Sequence, residues 1–275
     1  MKWEHRSEQR NQQNNDDNED HQRHQTGSNI QINLNFEDMR GQDVQWAMRY
    51  IASLASKRVF EGYEDGTFKP NNHITRIEAI TAAVRLLGLR SEAEAKQGTK
   101  LYFSDAVKIQ AAYPWATGYV AVAAEHALFM ESDNAVQPDK SADRLWATIL
   151  LVKALKLDGE AKTKMNADLT FKDADKIPAG ARGYVAVAVE KGLIDGYEDN
   201  TFRPNAPVRR AELAALLDRT GDKMPEDKSL TKGTVISSVS GNVLTVSQGG
   251  APVALTLDLN TFVFRDGQKN NGHRY

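Results

Sequence analysis

The sequence predicts a mainly α-helical protein of three tandem helix–loop–helix units, followed by a small β-rich segment. The ten residues that begin at position 62 recur 134 residues later, and a degenerate copy lies about halfway between the two. Apolar residues on both sides of each copy have the spacing of amphipathic helices. Between residues 253 and 259, large apolar residues alternate with small or polar ones, as in a half-buried strand.

The repeat is the strongest signal in the chain. Residues 62–71, GYEDGTFKPN, and 196–205, GYEDNTFRPN, agree at eight of ten positions. Each copy also has a proline followed six residues later by an arginine: Pro70 and Arg76, Pro138 and Arg144, Pro204 and Arg210. Each opens with Phe-x-Asp, at 36–38, 103–105 and 171–173. We therefore divide the centre into unit 1 (34–90), unit 2 (101–157, degenerate) and unit 3 (169–220).

Each unit is predicted to hold two helices joined by a loop. In unit 1 the apolar spacing places the first helix across 44–54 and the second across 75–87. Thr75 and Glu78 form a capping box at the start of the second helix, and Gly88 suits its end. The counterparts of this helix are 143–156 and 209–219. In the loop, Gly66 is expected at positive φ, with Asn200 in its place in unit 3.

The two ends differ from the centre. Residues 1–29 are rich in Asn and Gln, have few large apolar side chains and are predicted to be a disordered polar tail. They lack the apolar region of a signal peptide, so we expect either a mature or recombinant form or a protein that stays inside the cell. A polar linker at 221–230 leads to residues 231–275, a β-rich module that is small or cut short. Its strands are expected at 235–239, 243–246, 253–259 and 262–264.

Composition excludes several classes of function. The formal net charge of −2 argues against a broadly basic nucleic-acid binder. With no cysteine, the chain has no disulfide, thiolate metal site or cysteine nucleophile. No apolar run reaches the roughly 20 residues of a membrane span. Phosphate-binding glycine loops and hydrolase motifs are missing too, so we expect neither an enzyme nor a cofactor or metal.

The ordered set of Phe-x-Asp, amphipathic helix and GYEDGTFKPNNHITRIEA (62–79) resembles the S-layer homology motif. The resemblance covers about 34–220. It implies a pseudo-threefold spindle whose second helices form a central three-helix bundle. It also implies non-covalent anchoring to a secondary cell-wall polysaccharide, commonly ending in pyruvylated N-acetylmannosamine, in grooves between motifs. The expected location is then extracellular, in the cell wall or surface layer, with surface-layer proteins as further partners.

The arginines are the first candidates for ligand binding. Arg76, Arg144 and Arg210 stand in the first turn of the second helices, where a cation is unfavourable for the helix dipole. A guanidinium suits the carboxylate of a pyruvyl ketal, and helix N-termini favour anions as well. We expect each arginine to face a groove and bind the ligand. The alternative is a pair with an acidic residue of a neighbouring unit.

Aromatic residues and glycines complete the candidate site. In unit 2 the stretch matching GYEDGTF has become 130–136, MESDNAV, and Trp146 replaces the capping glutamate, so one groove is expected to be altered or lost. Trp146 is expected either to stack on a sugar or to pack between helices. Two roles remain open for Trp46 and Trp115: lining a groove or packing in the core. Gly62 and Gly196 are open between backbone geometry and close approach of a ligand.

Two functions compete at this point. The first is a wall-anchoring module that binds an anionic glycan. The second is an intracellular helical-repeat module that binds a peptide or protein, favoured only by the missing signal peptide. Binding to sacculi with and without the secondary polymer would separate them.

Overall fold

The computed structural model describes residues 36–39, 41–225, 234–235, 243–248 and 251–256. Within these ranges the protein is mainly helical, as predicted. The polar tail 1–29 and the strand expected at 262–264 lie outside the described residues.

Each unit has the predicted helix–loop–helix order, with short helices added. Unit 1 holds 3₁₀ turns at Glu37–Met39 and Gln45–Ala47, then α1 (Met48–Ser56) and α2 (Arg76–Leu86), and α3 (Arg90–Ala95) leads to unit 2. Unit 2 holds α4 (Ala106–Ala112), a 3₁₀ turn at Pro114–Ala116, α5 (Thr117–Glu125) and α6 (Arg144–Ala154), and α7 (Asp158–Thr163) leads to unit 3. Unit 3 holds a 3₁₀ turn at Ala174–Lys176, α8 (Ala179–Glu190) and α9 (Arg210–Gly221).

Local signals set the ends of the helices. The Thr75–Glu78 capping box at the start of α2 is confirmed. Gly88 follows α2 at φ +74°, and Gly66 and Asn200 take φ of +79° and +62° in their loops, as expected.

The second helices, α2, α6 and α9, contact one another pairwise. Just before them, three short backbone segments close a ring of hydrogen bonds. Ile74 N–H donates to the Val208 carbonyl (2.9 Å), Val208 to Ala142 (2.9 Å) and Ala142 back to Ile74 (2.8 Å). The three loops are therefore joined in a cycle, each unit bonded to both others.

The same cycle satisfies the first amides of the second helices. Arg76 and Ile77 of α2 donate their N–H groups to carbonyls of the unit 2 loop, at 2.8 and 3.2 Å. The first two amides of α6 donate likewise to the unit 3 loop, and those of α9 to the unit 1 loop. Helix N-termini normally leave such donors without intrahelical partners. Here the protein uses them itself, so the expectation that they help to bind an anion is wrong.

The Phe-x-Asp aspartates fix each loop to its own unit. The Asp38 carboxylate accepts N–H bonds from Phe68 (2.9 Å) and Lys69 (2.6 Å). Asp105 and Asp173 clamp the loops of units 2 and 3 in the same way. In each loop the second donor has a φ near +55° and precedes the repeat's proline: Lys69, Gln137 and Arg203. The clamp holds the backbone in a conformation that side chains seldom adopt.

The C-terminal strands pair in sequence order. β1 (Thr234–Val235) is antiparallel to β2 (Val243–Gln248), which is antiparallel to β3 (Ala251–Thr256). The strands overlap three of the four predicted stretches: β1 shares only Val235 with 235–239, β2 runs two residues beyond 243–246, and β3 begins two residues before 253–259.

Candidate functional site

The three candidate arginines occupy equivalent places. Each is the first residue of a second helix and lies against the loop of another unit. We name these contacts the Arg76 seam (unit 1 on the loop 126–142), the Arg144 seam (unit 2 on 191–207) and the Arg210 seam (unit 3 on 57–74). Burial lowers the pKa of all three guanidinium groups. The main opposing effect, which raises the pKa, comes from the charge of Asp143 at Arg76 and from that of Glu78 at Arg210.

At the Arg210 seam the guanidinium is enclosed by protein. Its Nε donates to the Phe68 carbonyl (2.8 Å), Nη2 to the Glu61 carbonyl (3.2 Å) and Nη1 to Glu78 Oε1 (2.9 Å). The Tyr63 ring lies 4.5 Å from its central carbon, and Arg210 is only 3% exposed. These contacts match the alternative that we kept open, an arginine paired with an acidic residue of a neighbouring unit.

Glu78 serves three partners at this seam. Oε2 accepts from the Thr75 backbone N–H (2.9 Å) and hydroxyl (2.7 Å), while Oε1 accepts from Arg210 and from the Tyr63 hydroxyl (2.9 Å). Burial, with help from Glu78, raises the pKa of Tyr63 to about 12. The capping carboxylate therefore stands where a ligand carboxylate would have to bind Arg210.

The Arg144 seam is also enclosed. Arg144 is 5% exposed, with the Tyr197 ring 4.7 Å from its central carbon. Nη2 donates to the Asp195 carbonyl at 2.5 Å, while Nε is buried without a hydrogen-bond partner. Among the described residues, no carboxylate oxygen lies within 4 Å of this guanidinium.

The Arg76 seam differs because a cavity of about 230 Å³ opens beside the arginine. The Arg76 side chain is 11% exposed, and its guanidinium lies 4.9 Å from the Trp146 ring. Nη1 donates to Gln137 Oε1 (3.0 Å), Nη2 is 3.8 Å from Asp143 Oδ2, and Nε is buried without a partner. Asp133 and Asn205 add polar groups to a lining that is otherwise mainly apolar, including Met130 and Ile149.

The other aromatic candidates lie on first-helix turns. Trp46 donates its indole N–H to the Asp43 carbonyl (3.0 Å) and packs at an angle to Tyr50. Trp115 is 47% exposed, with its ring edge-on to Tyr113 at 6.4 Å. Neither tryptophan is among the residues that line the Arg76 cavity. Their proposed part in ligand binding stays a prediction.

The loop glycines make room for the phenylalanines of Phe-x-Asp. A Cβ on Gly62 would lie 2.3 Å from the Phe36 ring, and one on Gly196 would lie 2.6 Å from the Phe171 ring. Their φ angles are not positive, so the need for glycine here is spatial. The structure fills this space with the protein's own aromatic ring, and close approach of a ligand to these glycines stays a prediction.

Sequence reasoning missed the residues that cover the arginines. Tyr63 and Tyr197 are not among the residues proposed from the sequence, although each follows a loop glycine at an equivalent position. Each of these tyrosines lies on an arginine of another unit, and the tyrosines and arginines recur at equivalent positions in the repeat. This recurrence could have indicated the contact, but only if the units were already known to form a cycle.

None of the described helices combines the length and apolarity needed to cross a bilayer. Within the same part of the chain, no three acidic or histidine side chains come together as a metal site.

Comparison with known proteins adds a family. Residues 35–80 and 170–214 match the sequence model of the S-layer homology domain. These two regions contain Arg76 and Arg210. Unit 2 lies between them, and its status as a third copy stays a prediction from the repeat.

Similar proteins include several from cell surfaces. The chain is 36% identical over 166 residues to a cellulosome-anchoring protein of Acetivibrio thermocellus, covering 60% of this chain and 36% of that protein. It is 31% identical over 210 residues to the surface-layer 125 kDa protein of Lysinibacillus sphaericus, covering 74% of this chain and 16% of that one. An amylopullulanase of Thermoanaerobacterium thermosulfurigenes is 28% identical over 197 residues, covering 70% of this chain and 10% of the enzyme. The chain thus spans about a third or less of these relatives.

Proposed function

We propose that the chain is a non-catalytic module that anchors a surface protein to the cell wall by binding a secondary wall polysaccharide. Support comes from the two S-layer homology matches and from relatives named for anchoring and surface layers. The observation that carries the site is the cavity of about 230 Å³ beside Arg76. This function places the chain outside the cell, in the wall or surface layer, with surface-layer proteins as further partners.

The proposed module consists of all three units, 34–90, 101–157 and 169–220, arranged as a pseudo-threefold spindle around α2, α6 and α9. The ring of hydrogen bonds through Ile74, Ala142 and Val208 supports this arrangement. Residues 1–29 and 231–275 flank the module, and the linker 221–230 precedes the C-terminal segment.

The proposed ligand is a sugar that carries one carboxylate, of the pyruvylated N-acetylmannosamine type. Arg76 would bind the carboxylate through the part of its guanidinium that Gln137 does not take. Hydroxyl and amide donors of the sugar would face Asp133 and Asp143, whose carboxylates each already accept one backbone N–H. These two negative charges also oppose a ligand with more than one anionic group.

The test is binding of the chain to purified sacculi that retain or lack the secondary polymer. Arg76→Ala should weaken binding to polymer-bearing sacculi by about 1.5–3 kcal/mol, the usual contribution of hydrogen bonds to charged groups. Arg182→Ala is the matched control, because Arg182 lies in α8, outside all three seams, and forms no ion pair with the other described residues. The control should bind as the unchanged protein does.

Two results would contradict the proposal. Binding that persists after polymer removal would show that the glycan is not the ligand and would favour a protein or peptidoglycan partner. Equal affinity of Arg76→Ala and Arg182→Ala would remove Arg76 from the site.

A further inference from the structure

The three seams share one plan but differ in what covers the arginine. At the Arg210 seam, Tyr63 lies on the guanidinium and Lys69 stacks on the same ring, at 4.5 and 4.2 Å. At the Arg144 seam, Tyr197 and Arg203 repeat this stack, at 4.7 and 4.1 Å. In both seams a tyrosine is a lid, and a second cation holds that lid from outside.

The Arg76 seam lacks both the tyrosine and the second cation of this lid, and the ring beside its guanidinium is that of Trp146 in α6, at 4.9 Å. The position of Tyr63 and Tyr197 is taken by Glu131, whose side chain is 89% exposed and pairs with Lys162. The position of Lys69 and Arg203 is taken by Gln137, which instead accepts a hydrogen bond from Arg76. No aromatic ring of the unit 2 loop therefore covers Arg76.

The close carboxylate of the Arg210 seam is missing as well, as it is among the described residues of the Arg144 seam. The third residue of the facing second helix is Glu78 at the Arg210 seam and Trp146 at the Arg76 seam. Glu78 neutralises Arg210 at 2.9 Å, whereas the indole of Trp146 has no acceptor to offer. Arg76 has one amide acceptor, a carboxylate at 3.8 Å and an Nε without a partner.

We infer that the substitutions in unit 2 open a ligand groove at the Arg76 seam alone among the three seams, and that the residue at position 146 determines whether Arg76 is available to it. This rests on the proposed function, because it assigns the glycan's carboxylate to a single seam. The degenerate unit 2 then forms the functional groove. The loops of units 1 and 3, which retain the repeat sequence, bury the arginines that they face, and these arginines are structural. The ligand is a monocarboxylate sugar, bound once per chain.

The test restores the closed arrangement at the open seam. In Trp146→Glu, the new carboxylate can cap the Asp143 backbone N–H, as Glu212 does for Arg209 at 2.7 Å, and can reach Arg76 as Glu78 reaches Arg210. Trp146→Gln has the same length without the charge. Glu131→Tyr rebuilds the lid independently.

Calorimetric titration of the full chain with a methyl hexosaminide 4,6-pyruvyl ketal supplies the readout, with the ketal's methyl ester as the uncharged comparison. We expect one site per chain, at least a tenfold loss of affinity for the acid in Trp146→Glu and in Glu131→Tyr, and a smaller loss in Trp146→Gln. Because Trp146 packs against the core, the thermal unfolding of each variant is measured alongside, and affinities are compared at a temperature where all the variants are folded.

The outcomes distinguish the single groove from the anchoring function. Two or three sites per chain, or equal losses in Trp146→Glu and Trp146→Gln, would overturn the single groove gated by charge, while the anchoring function would stand. If the unchanged chain bound neither the ketal nor polymer-bearing sacculi, the proposed function would fall and this inference with it.

Discussion

At the scale of single residues, equivalent arginines have unequal surroundings. Arg210 is a buried cation whose three nitrogens each have an acceptor, so removing it strips Glu78 of its charged partner and leaves the Phe68 and Glu61 carbonyls short of a donor. Removal of one partner of a buried pair is strongly destabilising. Because Glu78 keeps its bonds to Thr75 and Tyr63, we place the cost at the lower end.

We expect Arg210→Ala to lower the free energy of unfolding by about 3 kcal/mol, and Arg76→Ala by less than about 1 kcal/mol, since Arg76 has one amide acceptor and a distant carboxylate. Urea denaturation followed by circular dichroism measures both. Equal costs would mean that the two seams are energetically alike, contrary to their contacts.

Sequence reasoning located these arginines because a proline precedes each one at fixed spacing. It could not say what covers them, because the covering groups belong to another unit. Arg210 and Glu78 are 132 residues apart in the chain. Which unit faces which is decided by closure of the cycle, a property of packing that no local pattern records.

At the scale of elements, the connecting helices α3 and α7 escaped prediction. They are six residues each, polar and without a clear apolar period. The structure shows that both helices pack closely against a first helix. A Cβ on Gly118 of α5 would lie 1.8 Å from the Ala93 carbonyl oxygen of α3. A Cβ on Gly183 of α8 would lie 1.9 Å from the Ala161 carbonyl oxygen of α7. The second helices were predicted closely because capping residues and apolar periodicity are local signals.

Two glycines in α8, three residues apart, should respond oppositely to alanine. Gly183→Ala forces apart two backbones and should cost about 3 kcal/mol of stability. Gly180→Ala meets nothing within 4 Å and should stabilise the protein by about 0.5 kcal/mol, because alanine favours the helix. Thermal unfolding of the two variants compares them directly, and destabilisation by both would show that α8 tolerates no added methyl group anywhere.

At the scale of the whole molecule, the units complete one another. The first two amides of α2, α6 and α9 each need carbonyls from a different unit, and three inter-unit bonds join the segments before them. A unit removed from this cycle would leave buried donors without acceptors, which costs free energy at every seam it touched. The repeat is therefore sequential in the chain but cyclic in space, and its stability is shared.

Hydrogen exchange tests this shared stability. The amides of Ile74, Ala142 and Val208 close the cycle, so we expect all three to exchange only by global unfolding and to give the same free energy of opening. The Gly66 amide, bonded to the Tyr63 carbonyl within one exposed turn, should exchange much faster by local opening and is the internal comparison. If one of the three ring amides exchanged with a lower free energy than the others, its unit would open alone, and the cycle would be a contact between independent units.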